Sequence, residues 1–192
     1  LGRFRTKIEN YKNIAKIIED GERIFNIPIS EFPQLTEIEG DLRIYGTLYD
    51  LYNTVLRKRE AWMDIYWRDF HLFREEMDAQ VIEFDSAKSK VSKRLQTDPA
   101  YSSLTELINE TSKAVEGLKN MDYPQYEPYH WELISKTIKV EECANVKNGE
   151  GGDMFKLKRL FDAGIHNYVI DLEEINNMGQ QNEKVKVLLA SM

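Results

Sequence analysis

The stretch LTEIEGDLRIYGTLYDLYNTVL, residues 35–56, decides the fold. Leu35, Ile38, Leu42, Tyr45, Tyr49, Tyr52 and Leu56 alternate three and four residues apart without a break. Side chains at those spacings share one helix face and make the a/d seam of coiled-coil-like packing. Trp62, Ile65 and Tyr66 continue the apolar face, which predicts a helix reaching Trp67. A helix of about 30 residues is roughly 45 Å long at 1.5 Å per residue. One small globule cannot cover such a rod, so it requires antiparallel neighbours of similar length.

The chain supplies them downstream. Phe73, Met77, Val81, Phe84, Lys88, Val91 and Leu95 repeat the pattern over residues 73–95, with the Lys88 stem lying along the seam and its ammonium outside. Asp98-Pro99 reads as a helix start, Asp98 at the N-cap and Pro99 at the first helical position. Tyr101, Leu104, Ile108, Thr111, Val115 and Leu118 then alternate three and four apart. Residues 34–122 are therefore expected to form an up-down-up three-helix bundle.

Upstream, Phe4, Ile8, Tyr11, Ala15 and Ile18 put one apolar stripe on an amphipathic helix, with Asp20-Gly21 as one stop signal and a run on to Phe25 as the alternative. In the segment IFNIPISEFPQL that follows, Pro28 and Pro33 forbid a regular helix. Its Ile24, Phe25, Ile27, Ile29 and Phe32 predict a connector packed down on the protein. Residues 1–33 thus read as an opening helix and an apolar, Pro-containing connector.

Beyond the bundle comes YPQYEPYHWELISK, residues 123–136. Pro124 and Pro128 stop one helix and start another, and His130-Trp131 opens the new one. The Trp is a large anchor that must pack against something, which places this short helix at the join of two bundles. Asn145, Asn148, Gly149 and the EGG at 150–152 predict a mobile loop over residues 141–153. Met154, Phe155, Leu157, Leu160 and Phe161 form an apolar cluster. A last helix runs from about Ile165 to Leu189, weakened near its middle by Gly179. Residues 123–192 make a second helical unit. No strand alternation persists over six residues, so the fold class is all-α: elongated antiparallel helical bundles joined end to end. The chain opens on Leu1 and its VKVLLASM end has no cap, which reads as a piece of a longer polypeptide.

The formal net charge of −7 and the lack of a Lys/Arg stripe with interleaved aromatics argue against a nucleic-acid partner. No run approaches the length of a membrane span. A single Cys143 rules out an internal disulfide and suits a reducing compartment.

Catalytic signatures are weak. Glu127-Pro128-Tyr129-His130 matches Glu-x-x-His, but a di-iron bundle needs two such motifs, and His71 and His166 lack a Glu three residues upstream. A capping or core-edge His130 is the preferred reading. Gly149-Glu150-Gly151-Gly152 has neither the Lys-Ser/Thr nor the preceding strand of a phosphate cradle. The acid pairs Glu75-Glu76, Glu141-Glu142 and Glu173-Glu174 read as solvated faces. Tyr45, Tyr49 and Tyr52 read as core with hydroxyls at the edge rather than a base-stacking platform. Catalytic, cofactor-binding and metal-ligating residues are therefore each expected to be none.

One resemblance covers almost the whole chain. IFNIPISEFPQLTEIEGDL at 24–42, LYDLY at 48–52, YHWELI at 129–134 and FKLKRLFDAGIHNYVIDLEEI at 155–175 resemble, in order and spacing, the linker region of dynein heavy chains, and axonemal ones more than cytoplasmic ones. The sequence departs from that family in Tyr129, where arginine is usual, and in the ECANVKNGEGGD loop before Phe155. The resemblance implies a non-catalytic mechanical arm across a ring of AAA+ modules, coupling ATP-driven changes in the ring to the tail. It implies ATP and magnesium in the ring and no cofactor in this segment. The implied partners are the ring and tail of the same heavy chain, neighbouring heavy chains, intermediate and light chains, and microtubules through the parent, in the cytoskeleton of a cilium or flagellum. Two rivals stand beside it: a spectrin-like structural or tethering bundle with no motor role, and a metal-bound helical bundle.

Overall fold

The computed structural model describes residues 2–146 and 154–190. Its regular structure is helical: α1 (Gly2–Ile24), α2 (Pro33–Met63), α3 (Phe70–Ser89), α4 (Pro99–Met121), α5 (Pro128–Ile138), α6 (Lys158–Asp162) and α7 (Val169–Ala190), linked by short 3-10 turns.

α2, α3 and α4 pack together as the seam requires. Tyr45 Oη donates to Asp98 Oδ2 at 2.7 Å and Arg59 pairs with Glu110 at 3.4 Å, so α2 and α4 run parallel. Lys119–Asp78 at 2.7 Å and Arg74–Asp122 at 3.3 Å set α3 antiparallel to α4. The buried stripe of α2 is Leu48, Val55 and Trp62, rotated from the expected seam. Tyr45 and Tyr52 flank this stripe, whereas Tyr49 is 41% exposed and not core.

α4 is the spine. Asp98 caps it, accepting from Ala100 N at 2.8 Å, with Pro99 in the first turn. The expected face Leu104, Ile108, Thr111, Val115 and Leu118 is buried, and so is a second strip of Leu107, Ala114, Gly117 and Met121. A helix apolar on two sides belongs between two layers. The second strip meets the 3-10 turn Ile165–Asn167 and α7. A Cβ on Gly117 would sit 2.9 Å from Ile165 Cγ1, so glycine is what permits this approach. The apolar core is therefore continuous, running from Leu48 on α2 to Ile175 on α7.

Three expectations are corrected. The helix expected to reach Trp67 ends at Met63, because residues 65–67 turn extended to pair with the other half of the chain. Trp67 N donates to Phe155 O and Leu157 N to Ile65 O, each at 2.8 Å, an antiparallel bridge of Tyr66 with Lys156. α3 ends at Ser89 rather than Leu95. Val91 and Leu95 stay buried as their spacing demands, but on a turn and a 3-10 segment that reverse the chain. The connector is not packed down: Ile24 and Phe25 are 79% and 78% exposed, and Ile27, Ile29 and Phe32 are exposed as well. Its anchor within the chain is polar, with Glu22 Oε2 accepting from Ser30 N at 2.7 Å. Lys88 fits its expected place, mostly covered, with its ammonium on Asp85 at 2.6 Å. Of the expected loop, residues 141–145 form a 3-10 turn packed on α5 with Cys143 buried, while residues 147–153 and the Gly149–Gly152 motif lie outside the described residues.

Candidate functional site

The region that gathers chemistry is the joint after α4. Asp122 caps α4, and Pro124 and Pro128 keep residues 122–127 out of a helix until α5 begins. Tyr126 turns back into the core, and its hydroxyl donates to Asn120 O at 2.8 Å. Its ring meets Tyr123 at 5.3 Å, His130 at 5.1 Å and Trp131 at 5.6 Å between centroids. Burial pushes its phenol pKa upward, so it stays protonated.

Trp131 continues this aromatic column into the other half. It meets Trp67 edge-on at 5.8 Å, and Trp67 is stacked between Phe70 at 5.4 Å and Phe155 at 6.1 Å. The anchor that Trp131 needed is thus the turn between α2 and α3, held in place by the Tyr66–Lys156 bridge. Lys156 adds an ion pair with Asp64 at 2.8 Å and lies over the Tyr66 ring.

α7 straps the joint from outside. Tyr123 Oη donates to Glu183, Asn182 Nδ2 to Tyr129 Oη, and Lys186 pairs with Glu127. The bond to Glu183 holds the Tyr123 phenol pKa up, and Lys186 holds the Glu127 carboxyl below its ordinary range. Gly179 is buried where α7 crosses the tyrosines: a Cβ there would lie 2.9 Å from Tyr126 Cε1 and 3.1 Å from Tyr123 Cδ1. The glycine expected only to weaken the helix is what lets it lie against the joint.

Within the Glu-x-x-His match, His130 Nδ1 accepts the backbone N–H of Glu127 at 3.0 Å, and the carboxylate of Glu127 turns outward to Lys186. Both side chains take part in a capping box at the start of α5. His130 is 1% exposed, Nε2 has no hydrogen-bond partner, and burial lowers the imidazole pKa. His71 Nδ1 lies 2.9 Å from Arg68 O, far from the joint in the chain. Among the described residues no three of His, Cys, Asp and Glu stand together in a metal-holding group. Burial pushes the Cys143 thiol up to about 12, which leaves it without a nucleophilic thiolate near neutral pH. The arrangement locks three helices through one aromatic column and a peripheral polar strap. The stacked Trp67–Phe155 pair, the backbone bridge and the strap were missed from sequence. The only local signal for them was Gly179, a glycine placed inside a helix.

Comparison with known proteins agrees with this framework. The family description "Dynein heavy chain, N-terminal region 2" matches residues 35–192. The chain is 24% identical over 189 residues to the dynein gamma chain, flagellar outer arm, of Chlamydomonas reinhardtii, covering 98% of this chain and 4% of that protein. It is 26% identical over 172 residues to mouse dynein axonemal heavy chain 5, covering 90% of this chain and 4% of the relative. It is 26% identical over 155 residues to human dynein axonemal heavy chain 8, covering 81% and 3% respectively. The chain therefore spans only about 4% of the length of the heavy chains it matches. With most of its residues inside the matched region, the chain belongs to the dynein heavy chain family, N-terminal region 2.

Proposed function

We propose that this segment is a non-catalytic stretch of linker in an axonemal dynein heavy chain, a mechanical arm coupling ATP-driven changes in an AAA+ ring to the tail. The observation that carries the reading is the continuous core along α4, buried on two faces and bonded to both halves of the chain. A body built this way moves as a unit, because well-packed interiors transmit displacement instead of absorbing it. The flagellar and axonemal relatives support the setting, a ciliary or flagellar axoneme. In this reading residues 34–122 and 123–192 are two units that meet at the joint, ATP and magnesium act in the ring, and intermediate chains, light chains and microtubules are reached through the rest of the motor.

The test is a distance in the whole motor. One dye at exposed Asp50 on α2 and a second on a fixed ring site should change separation between nucleotide states. A constant separation favours the scaffold reading, a tethering bundle with no motor role. Nucleotide hydrolysis by residues 1–192 alone would defeat the non-catalytic assignment.

A further inference from the structure

The segment IFNIPISEFPQLTEIEGDL, residues 24–42, contains no Lys or Arg. Within it Thr36 is followed by Glu37, Glu39 and Asp41, acids one, three and five residues on. No other serine or threonine of the chain has that pattern. Thr6, Thr47 and Ser103 have the acid three residues on and none at one or five. Acids in those places suit a protein kinase with a basic substrate groove, which selects its acceptor by charge complementarity. Kinases that read a nearby cation before the acceptor, or a proline just after it, find neither around Thr36.

The fold leaves this hydroxyl within reach. Thr36 is exposed near the start of α2. Thr47 and Thr54 turn their hydroxyls back onto the carbonyl one turn earlier, whereas the Thr36 hydroxyl makes no hydrogen bond among the described residues. α2 begins at Pro33 with Phe32 in the N-cap place and no side-chain cap, and residues 25–32 before it are irregular and exposed. An uncapped helix end opens locally at little cost, which lets the segment enter a kinase groove in extended form.

A phosphate at Thr36 would also find partners. α1 lies antiparallel on α2, with Lys12 paired to Glu39 and Arg5 set against Gly46. Along one flank of this pair runs a cleft of about 540 Å³, whose lining includes Arg5, Glu9, Thr36, Glu39 and Arg43. Neither arginine makes an ion pair among the described residues, whereas Glu39 is already held by Lys12. Arg43 stands two turns along the same face of α2 as Thr36, and Arg5 reaches over from α1 one turn past Arg43. A phosphate brings about two negative charges near pH 7 and three acceptor oxygens, which match the forks of arginine. Glu9 opposes it with a single charge.

We propose that Thr36 is a phosphorylation site for an acid-directed protein kinase, and that its phosphate draws Arg43 and Arg5 into the cleft and holds α1 on α2. In the kinase, Thr36 Oγ1 attacks the γ-phosphorus of a nucleoside triphosphate. The bond from that phosphorus to the bridging oxygen breaks, the nucleoside diphosphate leaves, and the hydroxyl proton passes to the kinase's base. The inference requires no movement of the arm, so a motor with fixed dye distances would leave it standing. α1 is the element to show the effect, because Ile8 is its buried residue.

The test incubates the intact heavy chain, in its native complex, with an acid-directed protein kinase and magnesium ATP, and locates phosphate by peptide mass spectrometry. Phosphate is expected on Thr36 and lost from the same peptide in Thr36→Val. Glu39→Gln and Glu37→Gln should each slow incorporation severalfold, and Glu37 is exposed with no ion pair among the described residues. Hydrogen exchange then reads the cleft. Phosphorylation should slow exchange of the α1 amides severalfold at low salt and less at high salt. Arg43→Gln should cancel that slowing and leave incorporation unchanged. A Thr36 left unmodified while an acid-flanked reference peptide is phosphorylated in the same tube would overturn the site. Incorporation indifferent to both glutamine variants would overturn the acid-directed reading. Phosphate that leaves α1 exchange unchanged, or speeds it, would overturn the clamp.

Discussion

His130 sits almost wholly inside the joint with Nδ1 accepting an amide N–H, so its neutral form is the one the fold accommodates. Protonation would turn that acceptor into a donor and leave two buried N–H groups without partners. Burial therefore sets its folded pKa below the ordinary 6.5, against a smaller opposing pull from Glu127. Between those two values the unfolded chain binds more protons than the folded one, so stability rises with pH. The contribution is whole above about pH 6.5 and is lost as pH falls toward the folded value. Denaturant midpoints measured from about pH 7.5 down to about pH 5 should fall, and His130→Gln, which can still accept the amide but does not titrate there, should flatten that part of the slope. Two glycines give a matched contrast. Gly40 has open space where a Cβ would go, and Gly117 has Ile165. Gly40→Ala should stabilise by up to about 1 kcal/mol through helix propensity. Gly117→Ala gains the same propensity but overpacks, so it should destabilise by about 1–2 kcal/mol in the same denaturant titration.

α4 is the element whose limits the sequence made plainest, because Asp98-Pro99 is a local signal with a local cause. Its cap serves a second purpose, since Asp98 also accepts from Tyr45 Oη. Asp98→Ala should therefore cost about 1–2 kcal/mol, and Tyr45→Phe about 0.5–1.5 kcal/mol, with the two losses falling short of additive in a double-mutant cycle. Other elements were less legible for physical reasons. The three-and-four spacing on α2 located a helix but not its buried side, because Ile38, Tyr49 and Leu48 are all apolar and only the neighbours decide which is covered. α3 kept its spacing through Leu95 while its backbone left the helix, since burial constrains side chains more than it constrains the path between them. Met63 ends α2 because of a partner strand residue at Lys156, a contact that no window around Met63 contains. The Glu-x-x-His pattern on α5 was legible as an N-terminal capping arrangement, and the geometry of His130 agrees with that preference.

At the scale of the whole molecule, one core joins α2 through α7, whereas α1 packs along α2 with Ile8 as its buried residue. Unfolding of residues 33–190 should be a single transition, with tryptophan fluorescence and far-ultraviolet dichroism coinciding. In the isolated chain α1 amides should exchange with solvent much faster than those of α4, through local opening. Two transitions of similar amplitude, split near residue 123, would contradict the shared core. The overall class was legible because helical periodicity is written along each segment. The union of the halves was not, because Trp67, Trp131 and Phe155 are distant in sequence and meet only in the fold.

The short bridge of Tyr66 with Lys156 closes a ring of backbone around α3, α4 and α5. A pull applied between α2 and α7 reaches that ring at its clasp, where two backbone hydrogen bonds and the Lys156–Asp64 pair take the strain together. Because α4 packs on both α2 and α7, the clasp and that helix share the load.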